Sequence, residues 1–289
     1  EFRRVLFRSG ARIYYGGGVP LSTVAHLPME LRRTVQMDYD LIKTYVRLDD
    51  RLQKQVIEFA HANGMPVTSH EIYPAAASGA DGVEHIRGTS RRGYSPKVSL
   101  TFHSYQDVAD LLINSKMTIT PTIGITGGAF TLELARDPSR IDARFRALFP
   151  SSVVREMERQ AASIPASQFD ALERVVQPMG DLVRRVVKGG GIVIAGTDSP
   201  IFPYALAYHT ELELFQRGGL TPFEVLQTAT IRAAEALGEG ANLGSVEAGK
   251  LADLVVVSDD PLVDVKNARK VKIVIKNGEV HRLEALLTR

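Results

Sequence analysis

The sequence predicts an α/β fold: a parallel sheet with crossover helices, followed by a smaller antiparallel β unit. Three observations carry this. Short β-rich runs alternate with longer helical segments as far as Thr221, the pattern left by strands joined through crossover helices. One run, IVIAG at 192–196, is apolar throughout, as expected of a strand covered on both faces. Beyond about Gly244 the chain offers Leu254–Val257, then Lys272–Ile275 and Glu279–His281 around Asn277-Gly278, a dipeptide that joins antiparallel strands.

The elements follow in order. Ala11–Tyr15 reads as a strand broken by Gly16–Gly18, and Tyr39–Val46 as a second. Arg51–Ala62 puts Leu52, Val56, Phe59 and Ala60 on one helical face and stops at Gly64, a residue suited to the position just past a helix. Two short strands come next, Met65–Thr68 and Gly82-Val83, with a helical turn over Ala75–Gly79. Ser104–Lys116 is a helix with Ser104 and Asp107 placed as N-cap and N3 partner, and Met117–Ile123 is a strand. The stretch from about 125 to 177 is mostly helical and too long for a connector, so it reads as an insertion or lid. Asp181–Lys188 closes at three glycines, and Ile192–Asp198 is the sixth strand. Thr221-Pro222-Phe223-Glu224 starts a helix with a cap, a proline at N1 and a glutamate at N3. The expected division is a disordered arm or sequence artefact over 1–10, the main α/β domain over 11–243 and a β unit over 244–289.

The 289 residues are enough for a full core, and 44% hydrophobic with 24% charged residues is the balance of a globular chain. A net charge of +2 supplies no strong field toward nucleic acid or an anionic membrane. No cysteine is present, which excludes disulfides, thiolate metal sites and a cysteine nucleophile. The apolar runs fall far short of the ~20 residues that span a bilayer. Nothing in the sequence fixes a compartment.

Candidate chemistry gathers at strand ends. His70 and His85 each close a short apolar run. Either is by itself a satisfied core histidine or a ligand; two on consecutive strand ends point toward metal. Lys43 lies inside the buried-strand pattern LIKTYV, where a lysine snorkels, pairs with a carboxylate or is chemically changed. Asp198, in AGTDSP, either caps the next turn or serves as a ligand and general base. Imidazole and oxygen ligands together suit zinc and related divalent metals, which activate a water.

These residues and two longer stretches, ELELFQRGGLTPFEVLQTATIRAAEALG and GSVEAGKLADLVVVSDDPL, resemble the amidohydrolase superfamily. The likeness is to its imidazolonepropionase-like and prolidase-like dipeptidase branch, and it spans about Ala11 to Val280. It implies a (β/α)8 TIM-type barrel with one or two divalent metals, usually zinc, hydrolysing amide and related ester bonds. By match, Lys43 resembles the carboxylated bridging lysine of the fourth strand. His70 and His85 match the metal histidines of the fifth and sixth. Asp198 matches the metal ligand and base of the eighth. The superfamily's first strand carries a His-x-His pair, and no His-x-His occurs in this sequence. With Ala11–Tyr15 as the third strand, the expected fold is an incomplete barrel of strands three to eight, followed by part of a split β-sandwich.

Weaker candidates remain. Tyr73, three residues past His70, and Arg87, just past the His85 strand end, are placed to touch substrate, Arg87 alternatively belonging to a solvated loop. His209 either reaches substrate or serves a helix start. GSVEAGKL at 244–251 nearly spells a phosphate-binding loop, but Leu251 stands where Ser or Thr is needed and a strand follows. The sequence therefore predicts a metal-dependent hydrolase of small molecules, dipeptides or cyclic amides first, with no nucleic-acid or membrane partner. The alternative is a catalytically impaired fragment acting as a binding or assembly module. Open edges at Ala11–Tyr15 and Ile192–Asp198, with the tail strands around Val255 and Ile273 facing the same problem, further predict self-association.

Overall fold

The computed structural model describes residues 11–13, 24–44, 48–72, 75–86, 105–126, 128–199 and 201–287. The chain forms two compact units. The first comprises residues 1–100, 104–120 and 189–192. It carries β1 (Ala11–Ile13), α1 (Leu27–Gln36), β2 (Ile42–Thr44), α2 (Asp50–Ala62), β3 (Val67–Ser69), β4 (Gly82–Glu84), α3 (Gln106–Asn114) and β5 (Thr118–Thr120). These strands form a parallel sheet in chain order, and β6 (Ile192–Val193) is sixth in that order. Register is fixed along one row, with Arg12, Lys43, Thr68, Gly82 and Thr118 paired in succession.

Local chemistry accounts for these elements. Asp49 caps α2 by accepting from the backbone N–H of Arg51 at 2.9 Å and of Leu52 at 3.4 Å. The helix then buries Leu52, Gln53, Val56, Ile57 and Ala60, while Phe59 is only half-buried. The apolar stripe is thus rotated from the predicted one, and it carries a buried amide. Beneath the sheet, Val67, Val83 and Ile119 are buried, each contributing ~1.5–3 kcal/mol through lost apolar exposure. The predicted cap of α3 is corrected: the helix begins at Gln106 with Tyr105 at its N-cap and no side-chain cap. Asp107 therefore sits one position too early to partner a capping box.

The second unit comprises residues 101–103, 121–188 and 193–289. Its helices are α4 (Ala129–Arg136), α5 (Ala143–Leu148), α6 (Ser151–Ala162), α7 (Phe169–Lys188), α8 (Tyr204–Arg217), α9 (Pro222–Ala229) and α10 (Ile231–Ala236). An antiparallel sheet follows, ordered β7 (Leu254–Val257), β8 (Val271–Lys276), β9 (Glu279–Arg282), with α11 (Leu283–Leu287) after it. Phe130 and Leu134 of α4, Phe145 of α5, Val154 and Met157 of α6 and Leu206 of α8 share one apolar core. Beside it, the Arg140 guanidinium is only 3% exposed and meets Glu213 at 2.6 Å and Glu133 at 3.2 Å. Arg217 also pairs with Glu133, and Arg269 with Glu213 at 3.4 Å. Such a buried network adds little net stability, yet removing one partner strands a charge. Thr221 and Glu224 form the predicted capping box on α9. Asn277 and Gly278 take φ of 51° and 82°, the left-handed pair that a two-residue hairpin requires.

Candidate functional site

Strand alternation builds the site in the first unit. Side chains two apart on a strand share a face, so Thr44 and Ser69 lie on one side, while Lys43, Thr68 and His70 lie on the other. On the second face the row is crowded. A Cβ at Gly82 would lie 2.5 Å from Thr118 Oγ1 and 3.1 Å from Thr68 Cγ2, so only glycine lets β3, β4 and β5 run together there.

His70 follows β3 by one residue and is 7% exposed; His85 follows β4 by one and is 5% exposed. Simple alternation would send His85 to the opposite face from Glu84. It does not, because His85 adopts φ 59°. That left-handed backbone is uncommon outside glycine and is found at functional sites. His85 N–H donates to the carbonyl of Thr120 at 2.8 Å, which fixes the turn. The outcome is that the His70 and His85 rings stand edge to face with centroids 4.5 Å apart. Lys43 is half-buried on β2, the strand adjoining that of His70.

The other predicted residues fall elsewhere. Asp198 and His209 belong to the second unit. Asp198 also carries a left-handed backbone, φ 53°, in a turn where its carbonyl accepts from Ile201 at 3.3 Å and the Thr197 and Ser199 hydroxyls lie 2.8 Å apart. His209 lies in the second turn of α8, so the helix-start reading is corrected. Burial, with the Arg269 and Arg144 cations nearby, pushes its pKa down to about 4. Tyr73 and Arg87 lie outside the described residues. Among the described residues no group of three or more His, Cys, Asp or Glu side chains is arranged to hold a metal ion.

The amidohydrolase family's sequence profile matches residues 49–281, which is most of the chain. The chain belongs to the amidohydrolase family. It is 30% identical over 171 residues to an imidazolonepropionase of Geobacillus sp., covering 53% of this chain and 36% of that enzyme. It is 36% identical over 90 residues to ochratoxinase of Aspergillus niger, covering 30% of this chain and 18% of that protein. Among solved structures, a Xaa-Pro dipeptidase with methionine bound in its active site superposes with a TM-score of 0.59 at 24% identity, over 88% of this chain and 58% of the other. This amidohydrolase thus spans well under two thirds of the length of these relatives. Their likeness fixes the fold: parallel strands of TIM-barrel type with a separate small antiparallel sheet.

Metal chemistry, general in the amidohydrolase family, fits what the residues offer. Two buried imidazoles side by side are the right donors for a divalent ion, and Lys43 stands on the neighbouring strand. Sequence reasoning missed three further groups. Gln53, buried on α2, donates from Nε2 to Thr44 Oγ1 at 3.1 Å and to Ser69 Oγ at 2.9 Å. Glu71, directly after His70, is buried and donates its N–H to Ser69 Oγ at 3.1 Å. Glu211 of α8 is buried and accepts from the N–H groups of Ile123 and Gly124, each at 2.8 Å; burial pushes its pKa up to about 8. A glutamate's charge argues for exposure, yet Glu71 and Glu211 are both buried.

Proposed function

We propose that this chain carries the site of a metal-dependent hydrolase acting on amide or related ester bonds, with dipeptides or cyclic amides as substrates. The observation that carries the reading is the buried, edge-to-face pair His70 and His85, brought together by a left-handed backbone at His85. The matched relatives, an imidazolonepropionase, an ochratoxinase and a Xaa-Pro dipeptidase, support the substrate class.

His70, His85 and Lys43 would hold the metal, one or two ions, zinc first; carboxylation of Lys43 would give it oxygen donors. The metal, when bound, supplies Lewis acidity that makes a water nucleophilic near neutral pH. The two imidazoles, buried beside one another, would serve as its nitrogen donors. Asp198 is assigned as a further ligand and the general base, on its motif and its left-handed turn. Its carboxylate accepts a proton from the attacking water and returns it to the departing nitrogen. Tyr73, Arg87 and His209 are assigned to substrate contact.

Elemental analysis of the purified chain, with hydrolysis measured on a dipeptide panel, tests this. About one divalent ion per chain is expected, lost in His70→Ala and His85→Ala. Asp198→Asn should retain metal while its rate falls by ~10²–10⁴-fold, the usual worth of a general base. Because the sequence has no His-x-His, a metal-free, inactive chain would instead favour a binding or assembly module.

A further inference from the structure

We infer that Gln53 is a positioning residue for the candidate metal site: it ties the strand ends that present Lys43 and His70. This inference rests on the metal-site reading above.

The geometry is specific. Gln53 reaches from α2 between two adjacent strands, and its Nε2 uses both hydrogens, one on Thr44 Oγ1 and one on Ser69 Oγ. Thr44 directly follows Lys43, and Ser69 directly precedes His70. Thr44 Oγ1 in turn donates to the carbonyl of Thr68 at 3.3 Å, a second link between the same two strands. Ser69 Oγ also accepts the N–H of Glu71 at 3.1 Å. His70 is therefore bracketed: the residue before it supplies the hydroxyl, and the residue after it donates to that hydroxyl. This is a local side-chain turn that sets the His70 backbone angles. Gln53 pins that turn from outside.

Stability alone gives little reason for an amide here. Gln53 is buried, and its Oε1 has no hydrogen-bond partner among the described residues. Burying an amide oxygen without a partner is costly, and a methionine or leucine of similar volume would avoid that. What the amide supplies and an apolar side chain cannot is a fixed spacing between the two strand ends. Ligand orientation is where such spacing matters, since metal affinity falls when the groups that orient ligands are lost.

The test is Co²⁺ titration of the metal-stripped 289-residue chain, read by visible absorption and by competition with a chelator. Wild type should bind Co²⁺ with an absorption that disappears in His70→Ala. Gln53→Met should weaken Co²⁺ binding roughly tenfold, at the lower end of the ~10–100-fold seen when direct ligand partners are lost, and should shift the band. Ser69→Ala should act in the same direction, and the double variant should be no worse than Gln53→Met, because both changes break one bridge. Thr44→Val and Ser69→Ala carry the test if Gln53→Met does not fold. Wild-type affinity and spectrum in all of these variants would overturn the role of Gln53. A wild type that binds no Co²⁺, or binds it independently of His70, would overturn the metal site itself and this inference with it.

Discussion

His209 shows what a single residue does to the pH response of this chain. It is held neutral on α8, with its pKa pushed down to about 4 by burial first and then by the Arg269 and Arg144 cations. An unfolded histidine titrates near 6.5. Above that value the folded and unfolded chains carry the same proton count at this site. As pH falls from about 6.5 toward 4 the unfolded chain takes up a proton that the folded chain refuses, so stability is lost across that window. The loss is on the order of 2 kcal/mol once partial exposure is allowed for. His209→Gln should flatten this part of a urea-unfolding series run from pH 7 to pH 4. An unchanged slope would show that His209 is not the group responsible. Glu211 acts in the opposite sense: held protonated to about 8 by burial, it favours the fold at low pH and loses that contribution as pH rises from about 4.5 to 8. At this scale the sequence was legible for His70 and His85, because a histidine closing an apolar run is visible as text. It was silent on the φ of 59° that swings His85 toward His70, since a left-handed turn at a non-glycine residue leaves no compositional trace. Gln53 was hidden for a related reason: one polar residue on a helix reads as the wet face.

Helix packing depends on a close approach between α7 and α8. Gly180, inside α7, faces Gly218 just past α8, and a Cβ at Gly180 would lie 2.7 Å from Gly218 Cα. The reciprocal Cβ on Gly218 would lie 2.6 Å from Gly180 Cα. Gly180→Ala pits two effects against each other. Alanine gains ~1 kcal/mol of helix propensity over glycine, but the clash is with backbone, which cannot rotate aside, and overpacking costs ~1–3 kcal/mol. The clash should win, lowering the thermal midpoint by a few degrees in a circular-dichroism melt. A midpoint at or above wild type would mean that the helices part more easily than this spacing suggests. Strand identity at this scale was legible in the sequence: all six predicted strands are present, β5 and β6 shorter than their apolar runs and β4 one residue longer than its own. The N-terminus of α3 was not, because Ser104 and Asp107 have the capping-box spacing in the text, whereas the helix starts one residue later with Tyr105 at its N-cap.

Among the described residues, exposed large apolar side chains lie on the antiparallel sheet and not on the barrel-type strands. Val255 is 60% exposed, Val256 43% and Val280 55%. Leu254 pairs with Ile275 and Val255 with Val274 across β7 and β8, while Ile275 pairs with Val280 on β9. Alternation therefore puts apolar side chains on both faces of this three-stranded sheet. β7 and β9 are also its two edges, each with a row of backbone groups turned away from β8. Edges beside exposed valines template pairing with another chain unless a charge or proline interrupts them. Arg282 and Glu279 guard β9, but Leu254–Val257 contains no such guard. Self-association was expected from the sequence at the barrel edges and at the tail strands around Val255 and Ile273; the exposed valines make β7 the edge to test first. Sedimentation velocity at micromolar concentrations should show species larger than the 31.7 kDa chain. Val255→Lys, which puts a charge on the exposed side of that edge, should shift the distribution toward monomer without changing the far-ultraviolet spectrum. A wild type that sediments only as monomer would refute association through either surface. Association untouched by Val255→Lys would exclude β7 and return the argument to the Ile192–Ala195 segment.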